Sequence, residues 1–105
     1  MLKDLEELIS VVRQRKKNPK NLSYTNKLLS DKKLSIEKVK EELSELLESI
    51  EKNSNKVHEA ADLLYHLIVL LENNNIQIED VMKEFRKRRK EKKWHMIRII
   101  FLQKS

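Results

Sequence analysis

Apolar side chains recur at helical spacing in four stretches of the chain, and short polar segments separate them. This pattern predicts four helices, which cover residues 2–17, 35–52, 56–73 and a last segment from about residue 78. The first helix should end at Asn18-Pro19, because a residue before proline is pushed out of the helical region. Residues 18–34 are then predicted to form a loop that can include a short helical turn, with Ser35 as N-cap of the second helix.

The predicted helices differ in how their apolar positions are distributed. The second helix has a single apolar stripe, formed by Ile36, Val39, Leu43, Leu46, Leu47 and Ile50. The third is apolar on nearly every face between Ala60 and Leu71, which is typical of a helix surrounded by protein. On the fourth, Val81, Met82 and Phe85 are predicted to face inward. Short links between helices favour an antiparallel all-α bundle. Because the third helix needs more cover than three short helices provide, we expect the bundle to be completed in a homodimer.

The composition supports a helical, intracellular protein. The 105 residues are enough for one domain, and they include no glycine, one proline and no cysteine. Without cysteine there is no disulfide framework, which fits a reducing compartment. No stretch reaches the ~18 apolar residues of a spanning helix, and the N-terminal segment does not resemble a signal peptide. We therefore expect a cytoplasmic protein without a membrane partner.

The net charge of +6 is unevenly distributed along the chain. Residues 86–105 hold nine basic side chains and one acidic, a net of +8, whereas residues 1–85 hold fourteen basic and sixteen acidic, a net of −2. The basic run lacks the interleaved aromatic side chains that stack on bases, so a solvated helix end is preferred over nucleic-acid binding. We expect a domain over residues 1–90 and a basic, apolar extension over residues 91–105, whose apolar end packs on the domain or on a partner subunit.

Two pairs of carboxylates carry the candidate chemistry: Glu42 with Glu45, and Glu59 with Asp62. Each pair is three residues apart and so lies on one helical face. Carboxylates on the apolar third helix need compensation, because an unpaired buried charge is costly. Two neighbouring helices with two carboxylates each can form the oxygen-rich site that Mg²⁺ prefers, and Mg²⁺ in turn binds phosphates and activates water. The alternative is a solvated acidic face, which is preferred for Glu41, Glu45, Glu48 and Glu51 taken alone.

Three segments together carry a resemblance to a known family. They are Ser23-Tyr24-Thr25-x-Lys27-Leu28-Leu29, Glu41-Glu42-Leu43-Ser44-Glu45 and Glu59-Ala60-Ala61-Asp62-Leu63-Leu64-Tyr65-His66-Leu67. Over residues 2–90 the chain closely resembles phosphoribosyl-ATP pyrophosphohydrolase, one of the all-α, MazG-like nucleotide pyrophosphohydrolases. The chain departs from the family pattern where glycine is usual: Lys40 precedes the acidic pair, and neither the loop before Ser23 nor the turn before the fourth helix contains glycine.

The resemblance implies a Mg²⁺-dependent hydrolysis of phosphoribosyl-ATP to phosphoribosyl-AMP and pyrophosphate, the second step of histidine biosynthesis. It also implies roles for individual residues. The metal ligands would be Glu42, Glu45, Glu59 and Asp62. Glu41, which matches an extra acid in the family, would bind metal or orient the attacking water, so the catalytic candidates are Glu41, Glu42 and Glu45. Lys27 and Lys38 would contact phosphate. Tyr24 and Thr25 would line the substrate pocket, although Tyr24 fits a packing role equally well.

The three histidines are not expected to bind the metal. Magnesium prefers oxygen ligands, so His66 is predicted to be a hydrogen-bonded partner within the bundle. His58 and His95 are predicted to be surface residues.

Two other functions remain open at this stage. A MazG-like enzyme could act on another nucleoside triphosphate, because the E-x-x-E…E-x-x-D skeleton is shared across the superfamily. A non-catalytic helical interaction module could use the same carboxylates in ordinary salt bridges.

Overall fold

A computed structural model of the chain describes residues 1–90, and within them the fold is all-α, as predicted. The helices are α1 (Lys3–Lys17), α2 (Tyr24–Leu29), α3 (Lys32–Lys52), α4 (Lys56–Asn73) and α5 (Ile78–Lys90). Helices α1 to α4 belong to a compact unit, Met1–Asn75, and α5 belongs to a second unit that starts at Ile76. The predicted extension, residues 91–105, and His95 within it lie outside the described residues. None of the described helices is long and apolar enough to span a bilayer.

The prediction for residues 18–34 was wrong in one respect, because α3 already begins at Lys32. The short helix α2 is the helical turn that the prediction allowed. Ser23 caps α2 by accepting a hydrogen bond from the backbone N–H of Asn26 at 3.3 Å. Asp31 caps α3 by accepting from the N–H of Leu34 at 3.0 Å. Each oxygen satisfies an N–H that has no partner within its own helix. The N-cap of α3 is therefore Asp31, and Ser35, predicted for that role, is a buried residue of the first turn.

Helices α3 and α4 form an antiparallel hairpin whose buried face on α3 is polar. The residues of α3 that are buried are Ser35, Glu42 and Ser49, which recur every seven positions. The predicted apolar stripe lies beside this face and is largely uncovered, since Ile36, Leu43, Leu47 and Ile50 are 43–54% exposed. In the single chain, α3 thus packs against α4 through the edge of its apolar stripe and not through its centre.

Helix α4 is covered by protein only in its C-terminal half. His66, Ile68 and Val69 are buried there. In its N-terminal half, Val57 is 86% exposed and Leu64 is 44% exposed. Within the stretch predicted to be surrounded by protein, Ala60–Leu71, Leu64 is therefore uncovered in the single chain, and its cover by a second copy stays a prediction.

The small apolar core lies where α1, α2 and the second half of α4 meet. Its buried apolar residues are Ile9, Val12, Leu28, Ile68 and Val69. Polar contacts then fix α1 to the end of α4. The Arg13 guanidinium pairs with the Glu72 carboxylate at 2.7 Å, and the Lys16 ammonium donates to the Glu72 backbone carbonyl at 2.7 Å.

Helix α5 buries none of its own side chains. Val81 is half-buried, and Met82 and Phe85 are 39% and 45% exposed. That these three face inward stays a prediction. Acidic residues in its first turn and basic residues in its last turn match the helix dipole.

Turns without glycine are built mainly from asparagine. Asn53, Asn55 and Asn75 have φ between 53° and 58°, a left-handed conformation that asparagine tolerates better than most residues. Leu22 has φ of 72° and a fully exposed side chain. It lies in the loop before Ser23, in which the resembled family favours glycine. The loop therefore has a left-handed backbone at a position occupied by leucine, a residue that is unfavourable in this conformation.

Because of this backbone, Leu22→Gly is expected to raise the free energy of unfolding by about 0.5–1 kcal/mol, the penalty of a left-handed Leu less the entropy cost of Gly. Urea denaturation measures the change. Leu22→Ala is the control: it keeps the Cβ and should leave stability nearly unchanged. If both variants raised the free energy of unfolding equally, the left-handed backbone at Leu22 would not be the cause of the change.

Candidate metal and substrate site

Carboxylates from α3 and α4 converge at the open half of the hairpin. Glu42, Glu45 and Glu59 each offer an oxygen within 4.8 Å of the others. Glu59 also belongs to a second such group, with Asp62 and His58. Glu59 thus belongs to both groups, and the two groups together contain all four residues predicted as metal ligands.

The local structure explains this convergence. Each pair, Glu42 with Glu45 and Glu59 with Asp62, lies three residues apart and projects from one side of its helix. The antiparallel hairpin then turns the two sides toward each other, with Glu45 beside Glu59.

The cluster leaves buried acceptors without a donor. Glu42 is 8% exposed, and one oxygen each of Glu42 and Glu59 is buried and has no hydrogen-bond partner among residues 1–90. Burial raises the pKa of the Glu42 carboxyl, and the adjacent Glu45 carboxylate raises it further. Burial and Glu45 also raise the pKa of Glu59. An oxygen-only donor set with unneutralised negative charge suits a hard divalent cation such as Mg²⁺.

Glu41 lies outside both carboxylate groups. Its side chain is 54% exposed and pairs with Lys38, whose ammonium is 3.2 Å from a Glu41 oxygen. The hydrogen bond from Lys38 to Glu41 raises the pKa of Lys38. Lys38 also interacts electrostatically with Tyr24 and Glu42, so this predicted phosphate contact lies at the edge of the cluster.

A hydrogen-bonded chain links α2 to the acidic helix. The Nδ1 atom of His66 is 2.7 Å from the Asp62 backbone carbonyl, which can only accept, so Nδ1 carries the proton of that bond. In the neutral ring, Nε2 then accepts from the Tyr24 hydroxyl at 3.0 Å. The prediction that His66 is a hydrogen-bonded partner within the bundle is confirmed. Partial burial raises the pKa of the Tyr24 hydroxyl above its ordinary value.

Two residues of this region were missed by sequence reasoning. Tyr65 stacks near Tyr24 with ring centroids 6.4 Å apart, and its hydroxyl hydrogen-bonds to Thr25. His58 is a surface residue, as predicted, but its Nε2 lies 3.4 Å from an Asp62 oxygen. The spacing of four residues between His58 and Asp62 was the available signal.

Lys27, the other predicted phosphate contact, lies apart from the carboxylates. It lines a cavity of about 690 Å³ between the end of α1, the following loop and α2, together with Arg15, Lys16 and Lys20. Tyr24 lines this cavity as well. The structure thus places Lys38 near the acidic cluster and Lys27 in a basic cavity, with Tyr24 connecting the two.

Comparisons with known proteins agree on one family. A family model described as phosphoribosyl-ATP pyrophosphohydrolase matches residues 5–89. The chain is 41% identical to the phosphoribosyl-ATP pyrophosphatase of Clostridium novyi, over 82% of the chain and 81% of that protein. It is 37% identical to that of Methanobrevibacter smithii, over 81% of the chain and 93% of that protein. It is also 46% identical to the histidine biosynthesis bifunctional protein HisIE of Pyrococcus furiosus, over 86% of the chain but only 42% of that longer protein.

If the unpartnered oxygens of Glu42 and Glu59 bind a cation, millimolar Mg²⁺ should raise the melting temperature of the protein by several degrees, because only the folded state brings these carboxylates together. Glu59→Gln should abolish this shift. Glu37→Gln, an exposed position on the same helix as Glu42, is the matched control and should keep it. Differential scanning fluorimetry measures the melting temperatures of the wild type and the two variants. If Mg²⁺ still raised the melting temperature of Glu59→Gln, the assignment of the cation to this carboxylate cluster would be contradicted.

Proposed function

The chain belongs to the phosphoribosyl-ATP pyrophosphohydrolase family, and we propose that it hydrolyses phosphoribosyl-ATP to phosphoribosyl-AMP and pyrophosphate in histidine biosynthesis. The match to residues 5–89 and relatives named phosphoribosyl-ATP pyrophosphatase support the reaction. The observation that carries the proposal is the carboxylate cluster with two buried, unpartnered oxygens. The proposal places this reaction in the cytoplasm, the location that the sequence predicts.

Mg²⁺ is the proposed cofactor, held by Glu42, Glu45 and Glu59 with Asp62 beside them. When bound, it supplies the positive charge that lets a triphosphate approach four carboxylates and that lowers the pKa of water. Glu42, the buried member, is assigned to binding the ion. Glu45 is exposed at the same cluster, so we assign it to take the proton of the water that attacks the phosphorus. The bond between the α and β phosphates breaks and pyrophosphate leaves.

Other predicted residues act around this centre. Lys38 offers its ammonium to a phosphate at the edge of the cluster, and Glu41 holds Lys38 in place while remaining a second candidate for orienting the water. Tyr24 and Thr25 line the substrate side, each fixed by a hydrogen bond to α4, at His66 and Tyr65 respectively. Lys27 makes its phosphate contact in the basic cavity.

The test is the release of pyrophosphate from phosphoribosyl-ATP with and without Mg²⁺. Asp62→Asn and Glu59→Gln are each expected to lower kcat/KM at least about 100-fold, since loss of even an outer-sphere partner of a metal costs about 10–100-fold. Glu37→Gln should match the wild type. Activity on other nucleoside triphosphates but not on phosphoribosyl-ATP would favour the wider MazG-like function. No activity and no effect of the metal would favour an interaction module.

We also propose that the chain acts as a homodimer. Both helices of the α3–α4 hairpin carry exposed apolar side chains, Ile36, Leu43, Leu47 and Ile50 on α3, and Val57 and Leu64 on α4. A set of exposed apolar side chains on two packed helices, where they lie together, is typical of an interface. Residues 1–85, which include both helices, have a net charge of only −2, so the charge of this part of the chain opposes association weakly.

A charge placed in the uncovered stripe should separate the subunits. Leu47→Glu is expected to convert the dimer to monomers in sedimentation velocity, because a carboxylate cannot be buried there without a partner. Val11→Glu, at a similarly exposed position on α1, should leave the dimer intact. A wild-type protein that sediments as a monomer at micromolar concentration would refute this part of the proposal.

A further inference from the structure

The basic cavity is lined by four cations and by no carboxylate. Twelve residues surround its 690 Å³, and those that carry charge are Arg15, Lys16, Lys20 and Lys27. This volume lies within the range of small-molecule sites, about 300–1,000 Å³. The wall is otherwise polar or apolar, so its charge is entirely positive at neutral pH.

These charges are not neutralised by the part of the chain that the structure describes. Over residues 1–90, no carboxylate pairs with Arg15, Lys20 or Lys27. Lys16 donates to two uncharged oxygens, the Glu72 carbonyl at 2.7 Å and the Asn75 side-chain carbonyl at 2.6 Å. A group of cations that share one cavity without counter-charges attracts an anion.

Asn26 holds the segments that carry these cations at fixed positions. Its side-chain oxygen accepts from the Lys20 backbone N–H at 2.7 Å, and its side-chain nitrogen donates to the Arg15 backbone carbonyl at 2.9 Å. One side chain on α2 therefore ties the end of α1 to the loop. Such fixing reduces the entropy lost when a ligand orders the site.

We propose that this cavity binds the phosphate of the phosphoribosyl group of the substrate, a phosphate monoester separate from the triphosphate. The inference rests on the proposed function, in which the triphosphate is handled at the carboxylate cluster. Phosphoribosyl-ATP has a second phosphorylated end that a simple nucleoside triphosphate lacks. Tyr24 lies between the two places, because it lines the cavity while its hydroxyl bonds to His66 beside Asp62. The cavity then sets specificity, since only the substrate with two phosphorylated ends reaches both.

Lys20→Met and Lys27→Met test the proposal, with Lys17→Met as the matched control at the end of the same α1 that does not line the cavity. Each cavity variant should raise KM for phosphoribosyl-ATP by at least about 10-fold, the loss of one charge-assisted hydrogen bond. The inhibition constant of ATP should change less than threefold. Lys17→Met should resemble the wild type in both measurements. If a cavity variant raised the KM for phosphoribosyl-ATP and the inhibition constant of ATP by the same factor, the proposal would be overturned.

A second measurement separates this inference from the proposed function. Ribose 5-phosphate, which has no triphosphate, should bind the wild-type protein in calorimetry without metal, and Lys20→Met should weaken that binding at least about 10-fold. If ribose 5-phosphate binds in this way but phosphoribosyl-ATP is not hydrolysed, the proposed function fails and the identity of the ligand fails with it, while the binding of a phosphate monoester in the cavity stands. If phosphoribosyl-ATP is hydrolysed but ribose 5-phosphate does not bind, the cavity assignment fails alone.

Discussion

Mutual repulsion among carboxylates across the α3–α4 hairpin is the constraint on which the rest of the structure depends. Glu42, Glu45 and Glu59 are brought within 4.8 Å by the same packing that forms the hairpin, yet two of their oxygens have no donor in the described chain. A stable fold would normally avoid this arrangement, because buried charge without a partner is costly. Because the three carboxylates lower the stability of the fold, their retention at one place is the physical reason to assign them a function.

The body of the protein separates its charges by location. Carboxylates collect where α3 faces α4, and unpaired cations collect between α1 and α2. Tyr24 lies between them, with its hydroxyl on His66 and its ring beside Tyr65. A substrate with several phosphates needs both kinds of region: carboxylates to hold a metal ion, and cations to contact phosphate directly. The near-neutral charge of residues 1–85 conceals this separation when only the total is considered.

The apolar surface has a corresponding division. Five apolar residues form the core around α1, α2 and the end of α4, whereas the apolar stripe of α3 remains open. The residues that α3 buries are Ser35, Glu42 and Ser49, so its contact with α4 serves to place a carboxylate more than to bury hydrocarbon. A second copy of the chain would supply the missing burial without disturbing the cluster. In the proposed dimer, the interface and the carboxylate cluster would lie on different sides of α3.

The sequence by itself determined the all-α class, the bounds of α4 and the pairing of Glu42 with Glu45 and of Glu59 with Asp62. These features follow from the helical repeat, which acts over a few residues. The Asp31 cap of α3 is also a local feature, because it joins residues only three positions apart, and the prediction missed it. The sequence could not determine that Ser35 is buried, or that Lys27 and Lys38 belong to different regions. Nor could it place Tyr65 against Thr25, or reveal the basic cavity. Those outcomes depend on how segments tens of residues apart pack together, and local periodicity carries no information about that packing.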